Sequence, residues 1–508
     1  MRISGFSSGL DIDEIVSNLM KAKRVPLDKL TQKRTTLEWQ REQYRDINIK
    51  LVDFRNNKLL NYGLESSIGA KQVNITGNTT AVSAKANSGA VAGTMTVEVT
   101  TLATAASLTS SSGIGTVDTS KTLSELKTAG TINYTPDGSG NVTFTITNGA
   151  SSDTITVSES DSLASVVSTI NSSDAKVNAF LDSATGMMSL TSKSTGAGSI
   201  TVTDGPEGFL ANFNLTVSTA GADTTGLKIN GIATTRSSNT FTENGVEITL
   251  NAPTGGTAAT LNVVTDADKV VDTIKSFIQD YNNIFDLVNG KLNEERYRKY
   301  PPLTADQRAG MKEDEIRLWE EKAKSGLLRR DSSLSKMVSD ARLASITNVS
   351  VGGTSVELAS LGITTGTWEY RGKLVIQDEA KLRAAIEADP DQVMKFFTQQ
   401  TTETDPTLKV SPTNPDNGLF NRLSNVVMAA LNELATKAGT SKYSTDINTA
   451  FLPSSTIGDQ LTSIDSRLVD WNRRLTLVET RYYKQFTAME TAMNRYSAQA
   501  GSLFGASS

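Results

Sequence analysis

Neither cysteine nor histidine occurs among the 508 residues of this chain. Without them there is no thiol nucleophile, no imidazole base, no disulfide and no zinc site of the usual ligands, which removes most hydrolase and metalloenzyme mechanisms. A strong charge of one sign is also missing. The formal net charge of −5 and pI near 5.3 give no electrostatic case for nucleic-acid binding. No run approaches the roughly eighteen apolar residues of a membrane span, so membrane insertion is not expected. Met1 to Leu19 lacks a basic stretch followed by an apolar one, so no ordinary secretory signal is visible. Taken plainly this says cytoplasmic, but the absence of cysteine fits equally a chain that travels unfolded to the outside by another route. Phosphate loops, zinc-protease motifs, nucleophile elbows and dinucleotide fingerprints are absent too, so no enzyme activity and no cofactor are expected.

What is present begins with length, enough for three or four domains with sizeable cores. Near the C-terminus, apolar residues recur in steps of four and three: Ile457, Leu461, Ile464, Leu468, Trp471, Leu475, Val478 and Tyr482. That is the seam of a coiled-coil helix. It resumes at Phe486, Met489, Met493 and Tyr496 after a stutter, which relaxes supercoiling without requiring a break. Such a helix spans roughly 60 Å and needs a partner. One stands at the other end, where Leu30, Leu37, Tyr44 and Leu51 are spaced by seven, with Ile47 and Phe54 in alternate seam positions. Ahead of it, Asp11 is placed to cap a short helix carrying Ile12, Ile15, Leu19 and Met20, which Pro26 is expected to interrupt.

From about Gly63 to Thr265 the composition turns to Thr, Ser, Gly, Asn and Val, and the period becomes two. Thr94–Thr101, Val142–Thr147, Thr154–Val157, Ser199–Thr203 and Val246–Leu250 alternate β-branched with polar residues between glycine turns. A helix with an Asp cap is expected at Asp161–Asn171. At Asp266 the helical period returns and runs to Gly290. Glu313, Asp314, Glu315, Glu320 and Glu321 could supply an acid/base pair, but a solvated helix face with i,i+4 ion pairs is the plainer reading. Helices are further expected at Leu334–Ala344, Glu379–Ala388 (stopped by Pro390) and Leu419–Leu434. A strand pair is expected around Gly353 and Leu374, a loop over 401–418, and a Ser/Thr/Pro linker over Gly439–Ser455.

Taken together, these pieces resemble the flagellar filament cap, or hook-associated protein 2, family. The resemblance rests on Gly5, Phe6, Ser7, Ser8, Gly9, Leu10, Asp11 and Ile12, continued by Ile15-Val16, Leu19-Met20 and Pro26-Leu27. A second stretch, Thr143–Ser199, is similar to the IN motif of flagellins, with Asn148-Gly149, Asp161-Ser162-Leu163 and Leu190-Thr191-Ser192. Leu361-Gly362-Ile363 and Asp389-Pro390 give a third match, and Tyr482-Tyr483, Phe486 and Met493-Asn494 a fourth. The tail departs from the family: around Ala498-Gln499-Ala500-Gly501 its usual serine- and glutamine-rich end is reduced.

The expected fold is multidomain α+β: a helical, coiled-coil leg formed by the N- and C-terminal segments, with nested β-rich head domains inserted between them. Terminal segments 1–45 and 480–508 are expected to be mobile before assembly, with a leg from 46–75 and 266–479. The β-rich head comprises 76–112 and 226–265, and an inserted α/β domain covers 113–225. The resemblance implies a structural cap at the filament tip, exported through the flagellar apparatus, that promotes flagellin polymerisation, prevents monomer leakage and serves motility. Its implied partners are further copies in a ring, commonly a pentamer in the family, flagellin, hook–filament junction proteins, and an export chaperone at the C-terminal helix. The candidate assembly seam is Leu37, Tyr44, Ile47, Leu51 and Phe54 with Ile457, Leu461, Ile464, Leu468, Trp471, Leu475 and Val478. An adhesin binding host surface or mucin through the head is the alternative.

Overall fold

In the computed structural model, which describes residues 11–366 and 372–505, the chain forms two compact units. One comprises Met1–Ile68 and Ala267–Ser508, the other Gly69–Asp266. The architecture is multidomain α+β, with both terminal helices in the helical unit and the β-rich domains between them in sequence.

Helix α1 (Ile12–Asp53) starts where Asp11, in extended backbone, accepts a hydrogen bond from the Glu14 N–H at 2.9 Å. The interruption expected at Pro26 does not occur, and the helix runs through it. A mid-helix proline removes one ladder bond, here to the Ala22 carbonyl, and costs about 3 kcal/mol. Val16 and Met20 on one side of it, and Leu30 and Leu37 on the other, are buried along the same C-terminal helix, and that burial outweighs the loss. Past Asp53 the chain continues as a π-helical stretch, Phe54–Leu59, and stops at Gly63.

The strands of the second unit are β1 (Lys71–Gly77), β2 (Val82–Ala86), β3 (Gly93–Glu98), β4 (Ala105–Ser110), β5 (Asn141–Asn148), β6 (Ser151–Ser158), β7 (Val177–Leu181), β8 (Met188–Thr195), β9 (Ile200–Asp204), β10 (Leu215–Thr219), β11 (Leu227–Ile229), β12 (Ile232–Thr234), β13 (Thr240–Glu243), β14 (Val246–Leu250) and β15 (Ala259–Thr265). Sheets β1–β15–β3–β11–β12 and β13–β14–β2 enclose one core, with Val97, Leu227, Ile248 and Leu261. Sheets β10–β4–β8–β7 and β6–β5–β9, with helices α2 (Leu123–Thr128) and α3 (Leu163–Ser172), enclose another around Phe144, Leu163, Phe209 and Phe213. The chain crosses between the two cores where Thr101 pairs with Thr225 and Thr104 with Ala222. Strand β4 therefore belongs to the inserted domain, although the sequence reading placed it in the outer one. Strand β1 starts inside the stretch assigned to the leg, because it pairs along its whole length with β15. The cap of α3 is Ser162, whose hydroxyl accepts from the Ser165 N–H at 3.1 Å, while Asp161 accepts from the Ser158 N–H instead.

The helical unit continues with α4 (Ala267–Asn293), α5 (Glu313–Lys324), α6 (Ser332–Ile346), α7 (Glu379–Ala388), α8 (Pro390–Thr398), α9 (Leu419–Ala438) and α10 (Thr456–Gly505). Helix α8 has no counterpart in the sequence reading, which took Pro390 as a stop. Proline also suits the first helical position, and Asp389 accepts from the Gln392 N–H at 2.9 Å. The single strand pair expected near Gly353 and Leu374 is two hairpins, Val349–Val351 with Thr354–Val356 and Ile363–Thr365 with Leu374–Ile376. Phe277 of α4 sits in the core with its ring 4.8 Å from Phe420, 6.0 Å from Tyr281 and 6.2 Å from Phe397. The acidic helix α5 is a solvated face in which Arg317 pairs with Glu321 at 3.0 Å and Asp314 at 3.8 Å.

Candidate assembly surface

α1 and α10 run antiparallel. At one end Tyr483 Oη donates to Asp13 Oδ1 at 2.8 Å; further down, Arg34 Nε donates to Asp465 Oδ1 at 2.7 Å. The two seams meet each other. Leu37, Tyr44, Ile47, Leu51 and Phe54 are buried in the helical core with Ile457 and Ile464, and Leu461, Leu468 and Trp471 pack half-buried against it. Leu475 is buried in a separate cluster with Ile12, Val16 and Met20, which Val478, Tyr482 and Phe486 flank. Over that length the chain fills its own seams. Beyond Phe486 the apolar row continues on α10 through Met489, Met493 and Tyr496, the last 72% exposed. Gly5, Phe6, Ser8, Gly9 and Leu10 lie outside the described residues; Asp11 caps α1.

Two straps that periodicity did not reveal grip α1 between Gln32 and Asn48. On one side Gln32 donates to the Pro302 carbonyl at 2.9 Å, Gln40 to Leu327 at 3.2 Å and Gln43 to Lys324 at 2.8 Å. On the other, Arg41 donates to the Ala438 and Leu452 carbonyls at 2.7 and 3.0 Å, Arg45 to Ile447 at 2.9 Å and Asn48 to Ser441 at 2.6 Å. Phe451 lies under both guanidinium groups, 4.1 Å from that of Arg41 and 3.7 Å from that of Arg45. The linker 439–455 is thus a strap with a defined path, and it carries Tyr443, Ile447 and Leu452 exposed to solvent. Carbonyl acceptors leave no trace in side-chain patterns, which is why the sequence did not show them.

A charged hub joins three helices. Asp331 caps α6 through the Leu334 N–H at 2.9 Å and accepts from Tyr44 Oη at 2.7 Å and Lys437 Nζ at 2.9 Å. Burial alone would raise its pKa, but the bonds from Leu334, Lys437 and Tyr44 more than offset that and hold it below the ordinary value. Burial, then the bond to Asp331, pushes the Tyr44 phenol well above its usual range. Arg422 on α9 is fully buried and donates to the Thr347 carbonyl at 2.9 Å, at the C-terminal end of α6, where a cation is favoured. Desolvation lowers its pKa to about 10. These groups brace helices. Among the described residues no cluster of acidic side chains is placed to hold a metal ion, and no helix is long and apolar enough to cross a membrane.

Terminal helices packed together in one helical unit, with the β-rich domains between them in the sequence, define a multidomain α+β protein whose two chain ends pair. Comparison with known proteins narrows the class. The model of the flagellar hook-associated protein 2 C-terminus matches residues 222–498, that of its N-terminus residues 8–106, and that of the flagellin hook IN motif residues 143–194. A flagellar hook-associated protein 2 from Halalkalibacterium halodurans is 31% identical over 99% of this chain and 99% of its own length. One from Thermotoga maritima is 26% identical over 77% of this chain and 58% of its own. The solved D1-D2-D3 domains of the flagellar cap protein FliD from Escherichia coli align with 85% of this chain and 99% of theirs, at 22% identity and a TM-score of 0.47. The chain belongs to the flagellar hook-associated protein 2 family.

Proposed function

We propose that this chain is a structural cap at the distal tip of the flagellar filament, where it keeps flagellin from leaking away and guides incoming subunits into place, so that the filament elongates and the cell swims. Family membership over almost the whole chain is the observation that carries this reading. A second support is the pairing of the two termini in one helical unit, with the β-rich domains forming the other. The cap acts without covalent chemistry. It assembles as a ring of identical chains, a pentamer by analogy with the family, contacting flagellin and the hook–filament junction proteins. It leaves the cell through the flagellar export apparatus, with a chaperone on the C-terminal helix beforehand. The comparisons lend the adhesin reading no support.

The experiment is to delete the gene and measure flagellin in filaments and in the medium, with re-expression as control. Capping predicts monomeric flagellin in the medium and absent or stunted filaments; normal filaments would overturn it. Charge substitutions at Leu468 and Leu475 do not test filament contacts, because both side chains pack within the chain. Met493→Glu with Tyr496→Glu is the better pair, since both residues are on the exposed continuation of the row.

A further inference from the structure

The strap after α9 closes on itself before it closes on α1. Gly439, in left-handed backbone at φ +75°, ends α9, and its carbonyl accepts from the Leu452 N–H at 2.7 Å. A Cβ at Gly439 would lie 2.3 Å from the Leu452 carbonyl oxygen, so glycine is what lets the two ends meet. Residues 440–451 are thereby a closed loop laid against α1. Under it is a cavity of about 10 Å³, walled by Arg45 and Asn48 of α1 and by Thr440, Ser444, Asp446 and Thr449 of the loop. That is the room of one water molecule.

Two groups in that wall are buried and unmatched. Asn48 and Thr440 are 2% and 3% exposed, and neither Asn48 Oδ1 nor Thr440 Oγ1 has a hydrogen-bond partner among the described residues. The orientation of the amide is settled, because Asn48 Nδ2 donates to the Ser441 carbonyl at 2.6 Å and a carbonyl can only accept. Asn48 Oδ1 therefore needs a donor, and Thr440 Oγ1 can give or take. Leaving both without partners would disfavour the closed loop roughly tenfold or more. The charges in the wall restrict what can sit between them. The Arg45 guanidinium, which donates to the Ile447 carbonyl at 2.9 Å, disfavours a cation; the Asp446 carboxylate, which accepts from the Asn448 N–H at 2.9 Å, disfavours an anion. We propose that Asn48 and Thr440 bind a single water molecule, which donates to Asn48 Oδ1, bonds the Thr440 hydroxyl and ties the loop to α1. The tie fixes how the loop presents Tyr443 and Ile447, 68% and 57% exposed, to solvent. It rests on burial and bonding within the helical unit and stands or falls separately from the capping reading.

The test uses the full chain. Its crystal structure should show one water within hydrogen-bond reach of both oxygens, and that water should be lost with Thr440→Val and kept with Thr440→Ser. In solution, exchange of the 440–452 amides reports opening of the loop. Thr440→Val should quicken it about tenfold and Thr440→Ser hardly change it, with the amides of α4 as the control for folding. Asn48→Ala removes the direct bond to Ser441 in either background, so only its share of the bridge depends on Thr440. Its effect on exchange should be about tenfold smaller in Thr440→Val than in the native chain. An equal effect in both backgrounds would overturn the proposal, as would a direct bond between the two side chains in the crystal. Slower exchange on adding calcium chloride to the native chain but not to Asn48→Ala would also overturn it, since the cavity would then hold a cation.

Discussion

The two units divide their buried side chains differently: most of those in the helical unit form one core, whereas those of the β unit form two. In the helical unit Tyr44 and Lys437 share the Asp331 carboxylate, and Phe277 stacks among rings from α8 and α9, so segments far apart in sequence meet in one core. In the β unit, hairpins such as β5–β6 and β13–β14 are tied together by pairings between distant strands, β1 with β15 and β4 with β8 among them, but each set encloses its own core. A single core loses packing throughout when one central group goes, whereas two separate cores can lose theirs one at a time. The first should fail as a whole when one central group is removed, and the second should lose stability locally.

The largest effect should come from Phe277→Ala, which empties the centre of the helical core and should cost about 4 kcal/mol. No tryptophan occurs in Gly69–Asp266, so indole fluorescence during urea unfolding does not report on the β unit and reads the helical unit through Trp39, Trp319 and Trp471. The fluorescence midpoint should fall steeply while amide exchange in β5 and β6 stays unchanged. Slowed or quickened exchange in those strands would show that the units do not respond separately.

Next comes Asp331→Ala. It removes a helix cap and leaves Lys437 and Tyr44 without their shared partner, a loss of about 3 kcal/mol. Acid sharpens the point. The Asp331 pKa is lower in the folded chain than its ordinary value of 3.8, so its contribution is complete above that value and is lost as pH falls through the folded value. The gap between native and Asp331→Ala midpoints should therefore be constant near neutrality and shrink below pH 3.8. A gap that persisted in strong acid would mean that the carboxylate acts through packing and not through charge.

Smaller again is Ser162→Ala in the β unit, which removes the cap of α3 at about 1 kcal/mol. Exchange should quicken in α3 and hardly change in the outer sheets, the local response expected of a unit with two separate cores.

How much of this was legible depended on whether a residue's partner shared its periodicity. Strands β5, β6, β9 and β14 are found where Val, Ile and Phe alternate with Thr, because one buried face imposes a period of two. The seams of α1 and α10 were legible for the same reason, and the residues chosen do meet. What periodicity could not carry was identity of partner. Arg41, Arg45 and Gln43 look like solvated charge and amide on a helix, yet they bind main-chain carbonyls. Arg422 reads as surface and is fully buried. Pro26 and Pro390 were both taken as breaks, since the local preference of proline says nothing of burial beyond it or of a helix starting at it.

The smallest effect bears on why the β unit shows hydroxyls outward. On the open face of β6–β5–β9, Thr145 Oγ1 lies 2.9 Å from Thr154 Oγ1 and Thr147 Oγ1 2.9 Å from Ser152 Oγ, with Thr143 opposite Thr156. Valine has the same branched shape, suits a strand as well, and gives up a cross-strand bond between hydroxyls that water also satisfies. Thr143→Val, Thr145→Val and Thr147→Val should each shift stability by no more than about 0.5 kcal/mol. Combined, they turn a hydroxyl face into an apolar one beside two edge strands, β6 and β9, and the triple variant should self-associate in sedimentation velocity at concentrations where the native chain does not. A triple variant that stayed in the native species would show that the edges alone keep copies apart. A large loss of stability would show that the hydroxyl pairs hold the sheet together, and the contrast between the two units would then be one of degree.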